Sequence, residues 1–123
     1  MPELHEVPTG TPIPAFPSLL TDEEVAQILT MTVDWIRENA DEIPGFEPLG
    51  SYYRFHSDPI EHWLGSLDRV LKIEDAAAML KVPKSWVYAN ADQIPGVLHL
   101  GRYIRFRPSV FRRFLSGGSE LAQ

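Results

Sequence analysis

The side chains in this sequence best suited to a chemical task are the cations gathered in its last third: Lys84, Arg102, Arg105, Arg107 and Arg112, with the hydroxyls of Ser85 and Tyr88 beside them. Ammonium and guanidinium groups neutralise phosphates, reach base edges and form forked hydrogen bonds, and hydroxyls donate to phosphate oxygens. Lys84, Ser85 and Tyr88 have spacings that fit one exposed helix face. Arg102 and Arg105 flank and follow a glycine turn. Other chemistries find little support. The four histidines, His5, His56, His62 and His99, form no i, i+4 pair, and the chain has no cysteine, so neither a zinc site nor a metalloprotease helix is expected. No phosphate-binding loop, nucleophile elbow or dinucleotide fingerprint occurs, and no paired carboxylates stand out. We therefore expect a non-enzymatic protein without cofactor or metal.

The bounds set by composition agree with this. At 123 residues, 44% of them hydrophobic and 23% charged, the chain suits one ordinary domain or two very small ones with a real core. The lack of cysteine, of any membrane-length apolar run and of a signal-like start leads us to expect a soluble cytoplasmic protein, nucleoid-associated if it meets DNA. A net charge of −6 opposes nucleic-acid binding on average. Averages hide asymmetry, however.

An internal repeat determines how these side chains are placed. Residues 19–64 align without a gap on residues 70–115 at an offset of 51, with 17 identical positions out of 46, among them Trp35/Trp86, Asn39/Asn90, Gly45/Gly96, Tyr52/Tyr103 and Arg54/Arg105. The expected organisation is a proline-rich arm (1–18), an acidic repeat (19–64), a linker (65–69), a basic repeat (70–115) and a short tail (116–123). Within a repeat, Thr21 with Glu24 forms a capping box ahead of an apolar face of Val25, Ile28 and Leu29, matched by Ala76, Met79 and Leu80. A tight turn leads to a second helix over 33–40 and 84–91, which the Ile-Pro-Gly triplets end. Two β-rich runs around a glycine, 97–100 and 103–106 in the second repeat, read as a hairpin, and a short amphipathic helix closes each unit. Val87, Ile94, Leu100 and Phe106 are expected in the core, and Trp35 and Trp86 in packing contacts.

The stretch VLKIEDAAAMLKVPKSWVYANADQIPGVLHLGRYIRFRPSVFRRFL resembles the excisionase-type DNA-binding domains, relatives of the winged helix of MerR-like regulators. The resemblance runs through the first helix, the V-P-K-S-W-V-Y second helix and the L-G-R-Y-I-R-F wing. It implies a mainly α fold with small β-hairpin wings, here two tandem winged helix-turn-helix repeats. It also implies a reading helix over 84–90 in the major groove and a wing contacting DNA through Arg102, Tyr103 and Arg105. The first repeat departs from the pattern, with Val33, Asp34, Ser51 and His56 standing for Lys84, Ser85, Arg102 and Arg107.

Charge separates the repeats in the same way. Residues 19–64 carry ten acids against two bases, a net charge of −8, whereas residues 70–115 carry eight bases against three acids, a net charge of +5. A basic face attracts phosphate backbones and an acidic one is repelled by them. The expected partner is double-stranded DNA, bound through the second repeat by Lys84, Ser85, Tyr88, Arg102, Tyr103, Arg105, Arg107 and Arg112. The acidic repeat is left for an integrase or another protein, with self-association open. The family contains recombination directionality factors that bend attachment-site DNA, and also transcriptional regulators; an interaction module whose first repeat has lost DNA binding is a third reading.

Overall fold

The computed structural model describes residues 18–117. Nearly all of the expected arm and most of the expected tail lie outside these residues.

Each half begins with a strand that ends at a helix cap. Strand β1 (Leu19–Thr21) leads into α1 (Asp22–Leu29), where the Thr21 hydroxyl accepts from the Glu24 N–H at 3.0 Å and the Glu24 carboxylate accepts from the Thr21 N–H at 2.8 Å. This reciprocal cap satisfies two backbone donors that the first helical turn leaves open. In the second half β4 (Leu71–Lys72) leads into α4 (Ile73–Leu80), and Asp75 accepts from the Lys72 N–H at 3.1 Å. A lysine cannot accept in return. Helices α1 and α4 both stop at a left-handed residue, Thr30 at φ 53° and Lys81 at φ 60°, whose N–H turns back to a carbonyl of the last helical turn.

The second helices are shorter than the sequence suggests. Helix α2 spans Val33–Glu38 and α5 spans Lys84–Asn90; a 3₁₀ turn follows each, at Ala40–Glu42 and Ala91–Gln93. An asparagine sits at each junction. The side-chain amides of Asn39 and Asn90 donate at 2.8 Å to the carbonyls of Trp35 and Trp86, so they occupy acceptors in the last turn. Hairpins β2 (Phe46–Leu49)/β3 (Tyr52–His56) and β5 (Val97–Leu100)/β6 (Tyr103–Phe106) come next, and α3 (Ser57–Leu64) and α6 (Pro108–Leu115) close the halves. Corresponding elements lie 51 residues apart to within one residue at each end.

Two sequence expectations need correction here. The wings are not two-stranded, because β1 and β4 pair with β3 and β6 to give three-stranded antiparallel sheets of order β1-β3-β2 and β4-β6-β5. With six helices and two small sheets, the described residues are mixed α and β rather than mainly α. Strands of three and two residues are too short to show an alternating pattern, so only their pairing reveals them.

The two halves share a core through the second sheet. One face of the β5/β6 pair, Val97 with Phe106 and His99 with Ile104, lies toward the second half's own core. Its other face carries Leu98 opposite Arg105 and Leu100 opposite Tyr103. Leu98 and Leu100, at 4% and 3% exposure, belong to the apolar cluster of the first half with Val25, Leu29, Ile36, Phe55 and Ile60. Val70, just past the expected linker, is buried in the same cluster, and its N–H donates to the Ile28 carbonyl at 2.8 Å. Val87, Ile94, Leu100 and Phe106 are all buried as expected. Trp35 packs against the first core, but Trp86 is 46% exposed; Met79, read from sequence as an apolar-face residue, is 49% exposed, and Leu115 on α6 is 42% exposed. In the second half nothing among the described residues covers the side that the first half covers with the β5/β6 sheet.

Glycine at 45 is fixed by a close approach as well as by its φ of +86°: a Cβ there would lie 2.8 Å from the His56 carbonyl oxygen, whereas at Gly50, φ +62°, it would meet nothing within 4 Å. Left-handed backbone alone costs a side chain about 1–2 kcal/mol. Gly50→Ala is therefore expected to destabilise by about that amount, and Gly45→Ala by clearly more, since backbone must shift as well. Chemical denaturation of the two variants against the parent chain measures the difference.

Candidate nucleic-acid interface

The orientation of α5 follows from one anchor. Val87 is fully buried, and at 100° per residue the opposite face of the helix then carries Ser85 and Ala89, with Lys84 and Tyr88 on one flank and Trp86 on the other. Lys84, Ser85, Trp86, Tyr88 and Ala89 are all exposed. The helix itself holds no acidic residue. The Lys84 ammonium comes no closer than 3.9 Å to the Glu74 carboxylate, with both side chains more than half exposed, so this contact leaves Lys84 available to another anion.

The matching surface of the first half is spent internally. Helix α2 presents Asp34 and Glu38 outward, and its one cation, Arg37, donates through Nε to Asp22 at 2.7 Å while stacking over Tyr53 at 5.7 Å. The hydrogen bond to Asp22 is the main cause that raises the Arg37 pKa above its ordinary value. Ile73 and Tyr88 stand at the corresponding positions of the second half, so no ion pair forms there and the flank of α5 remains open.

The wing arginines divide sharply. Arg102, at the β5–β6 tip, is exposed, with its guanidinium 5.5 Å from the Tyr103 ring. Arg105 points into the first half. Its Nε donates to the Thr30 hydroxyl at 2.6 Å, Nη2 to the Thr30 carbonyl at 3.0 Å, and Nη1 to the Ile104 carbonyl at 2.9 Å. Partial burial lowers its pKa, and the charges of Glu74, Tyr88 and Tyr103 act in the opposite direction. Arg107 is engaged in the same way: Nε donates to the Trp63 carbonyl and Nη1 to the Val97 carbonyl, both at 2.9 Å. Of the eight residues named from sequence, Lys84, Ser85 and Tyr88 share α5, Arg102 and Tyr103 sit at the hairpin tip, and Arg112 lies exposed on α6 beside Arg113. Arg105 and Arg107 are drawn instead into the contact between halves: five of their donor nitrogens are used, three toward Thr30 and Trp63 of the first half and two toward Ile104 and Val97 of the second. Lys72 and Lys81, which the sequence reading passed over, add two further exposed cations.

The signal for this contact was present in strand β5. Val97 and Leu98 are consecutive apolar residues, followed by Leu100, so both faces of the strand are apolar and both must be covered. The corresponding run Phe46-Glu47-Pro48-Leu49 carries a charge on its outer face. The histidines on the sheets face carboxylates, His56 with Glu47 at 3.1 Å and His99 with Asp92 at 2.8 Å. Among the described residues no group of three histidines or acids is placed to hold a metal ion, and no helix is long and apolar enough to cross a membrane.

Residues 70–119 match the model of a helix-turn-helix domain family, a span that takes in every element from β4 to α6. No curated protein and no solved structure matches the chain. The second half is thus similar to a helix-turn-helix domain, with α4 and α5 in the places of its two helices.

Removing the Arg105 fork leaves the Thr30 carbonyl and hydroxyl without their partner at the boundary between halves. Arg105→Ala is expected to lower stability by about 1–3 kcal/mol, and Arg105→Lys to recover little of it, because an ammonium cannot reproduce the planar fork. Arg102→Ala should be close to neutral. Thermal unfolding of the three variants, followed by circular dichroism, checks this ordering.

Proposed function

We propose that this helix-turn-helix protein binds double-stranded DNA through its second half, with α5 in the major groove and the β5–β6 tip against the neighbouring backbone or minor groove. The observation that carries this reading is the exposed, acid-free face of α5, with Lys84, Ser85 and Tyr88 held outward by the burial of Val87, in a domain that matches a helix-turn-helix family. Lys84 and Arg102 are the principal contacts. Ser85 and Tyr88 add hydroxyl donors, and Lys72, Lys81, Arg112 and Arg113 surround them with positive charge. Tyr103 supports Arg102 by lying beneath its guanidinium, and Arg105 and Arg107 serve DNA binding indirectly by fixing the wing. The acidic half is turned away from the duplex, since its net charge of −8 would be repelled there.

The finer reading, supported by the resemblance to excisionase-type domains, is a recombination directionality factor. Such a protein binds and bends DNA near an attachment site and offers its acidic half to an integrase. A small basic winged helix supplies the backbone contacts that bending requires.

In a titration of labelled duplex DNA over a salt series, log K should fall by about 0.9 per phosphate contact for each unit of log salt. Lys84→Ala and Arg102→Ala are each expected to weaken binding; loss of a phosphate contact reduces the slope by about one, and loss of a base contact costs about 1–3 kcal/mol. If the intact chain shows no salt-dependent binding even at low salt, the DNA reading is wrong.

A further inference from the structure

The two halves are joined by a contact that is not symmetric: the outer face of the second sheet docks on the turn and second helix of the first half. That face consists of Leu98, Leu100, Tyr103 and Arg105. Its receptor is the Thr30–Thr32 turn with Met31 and Trp35, which line a cavity together with Tyr103 and Arg105. Every element of this contact has a counterpart 51 residues away, and the counterparts are unoccupied. The outer face of the first sheet carries Glu47 opposite Arg54 and Leu49 opposite Tyr52, and Leu49 and Tyr52 are 46% and 62% exposed, against 3% and 39% for Leu100 and Tyr103. At the other end, Lys81, Val82, Pro83 and Trp86 repeat the receptor, with Lys81 in the left-handed conformation of Thr30 and Trp86 46% exposed where Trp35 is packed.

We infer that this chain associates head to tail with a second copy of itself, the outer face of the first sheet of one molecule docking on the Lys81–Pro83 turn and Trp86 of the next. Charge points to the same pairing, because it brings a half of net −8 against one of net +5, whereas either half against its own kind is repelled. Arg54 is oriented for the part that Arg105 plays: both guanidinium groups donate to the preceding residue's carbonyl at 2.9 Å and lie beside the tyrosine two residues earlier. The pattern departs at Lys81 in place of Thr30, which leaves Arg54 the carbonyl acceptor alone, at Glu47 in place of the buried Leu98 and at His56 in place of Arg107, and these changes make the contact between molecules weaker than the one within. An interface of this type uses two different patches and does not close on itself in a dimer, so molecules add in sequence. On α5, Trp86 lies on the flank away from Lys84 and Tyr88, so the association shares only the peripheral Lys81 with the proposed DNA surface and leaves its principal contacts, Lys84 and Arg102, free.

The test is sedimentation velocity of the intact chain without DNA, across the micromolar-to-millimolar range. Dimers and larger species growing with concentration, and receding at high salt, are expected. The double variant Leu49→Ser, Tyr52→Ser removes one patch and Trp86→Ser the other; both sites are exposed, and circular dichroism checks that each variant is folded. Each variant alone should remain monomeric. An equimolar mixture of the two should give a dimer that grows no further, because each supplies the patch the other lacks. A parent chain that stays monomeric throughout overturns the inference, as do variants that associate like the parent. A mixture that stays monomeric also overturns it, since that result belongs to a symmetric interface. DNA titration is a separate readout, so loss of either reading is recognised independently.

Discussion

The docking of the second sheet against the first half is the constraint on which the rest of the structure depends. A three-stranded sheet with apolar residues on both faces has to be covered twice, and a half of fewer than fifty residues supplies cover for only one side. The first half provides the second cover: Leu98 and Leu100 enter its core, and Arg105 closes the edge by filling the acceptors at the left-handed end of α1. The turn between α1 and α2 therefore acts as a receptor. Its counterpart between α4 and α5 is left free, next to the helix that reads as the DNA-contacting element.

This arrangement explains how one repeated pattern yields two halves with different surfaces. In the first half the polar side chains on the second helix are consumed locally, as in the Arg37–Asp22 pair, or are acidic. In the second half Ile73 replaces Asp22 and is buried, no ion pair ties α5 to α4 at that point, and the helix keeps its cationic and hydroxyl groups for the outside. Counting basic residues overstates what is available to a phosphate backbone. Eight cations give the second half its charge, but the hydrogen bonds of Arg105 and Arg107 hold the halves together, and six remain exposed.

Much of the architecture could be read from the sequence because it is local. The capping box at Thr21, the hairpins around Gly50 and Gly101 and the apolar periodicity of the helices depend on neighbours within a few residues. The offset of 51 then doubles each signal. Features that depend on pairing with distant residues were less legible. Strands β1 and β4 are too brief to show a period, and Trp86 resembles Trp35 in type while differing in what lies across from it.

By itself, then, the sequence determined the order and repetition of the elements, the buried positions Val87, Ile94, Leu100 and Phe106, and the opposite charge of the two halves, because spacing and side-chain type suffice for these. Only the tertiary structure decided what covers the outer face of the second sheet, and hence which arginines are free. Arg102 and Arg105 are three residues apart on one hairpin and chemically identical, yet one is exposed and the other holds a threonine 75 residues away. What separates them is the partner across the interface, and a partner that distant leaves no mark in local spacing.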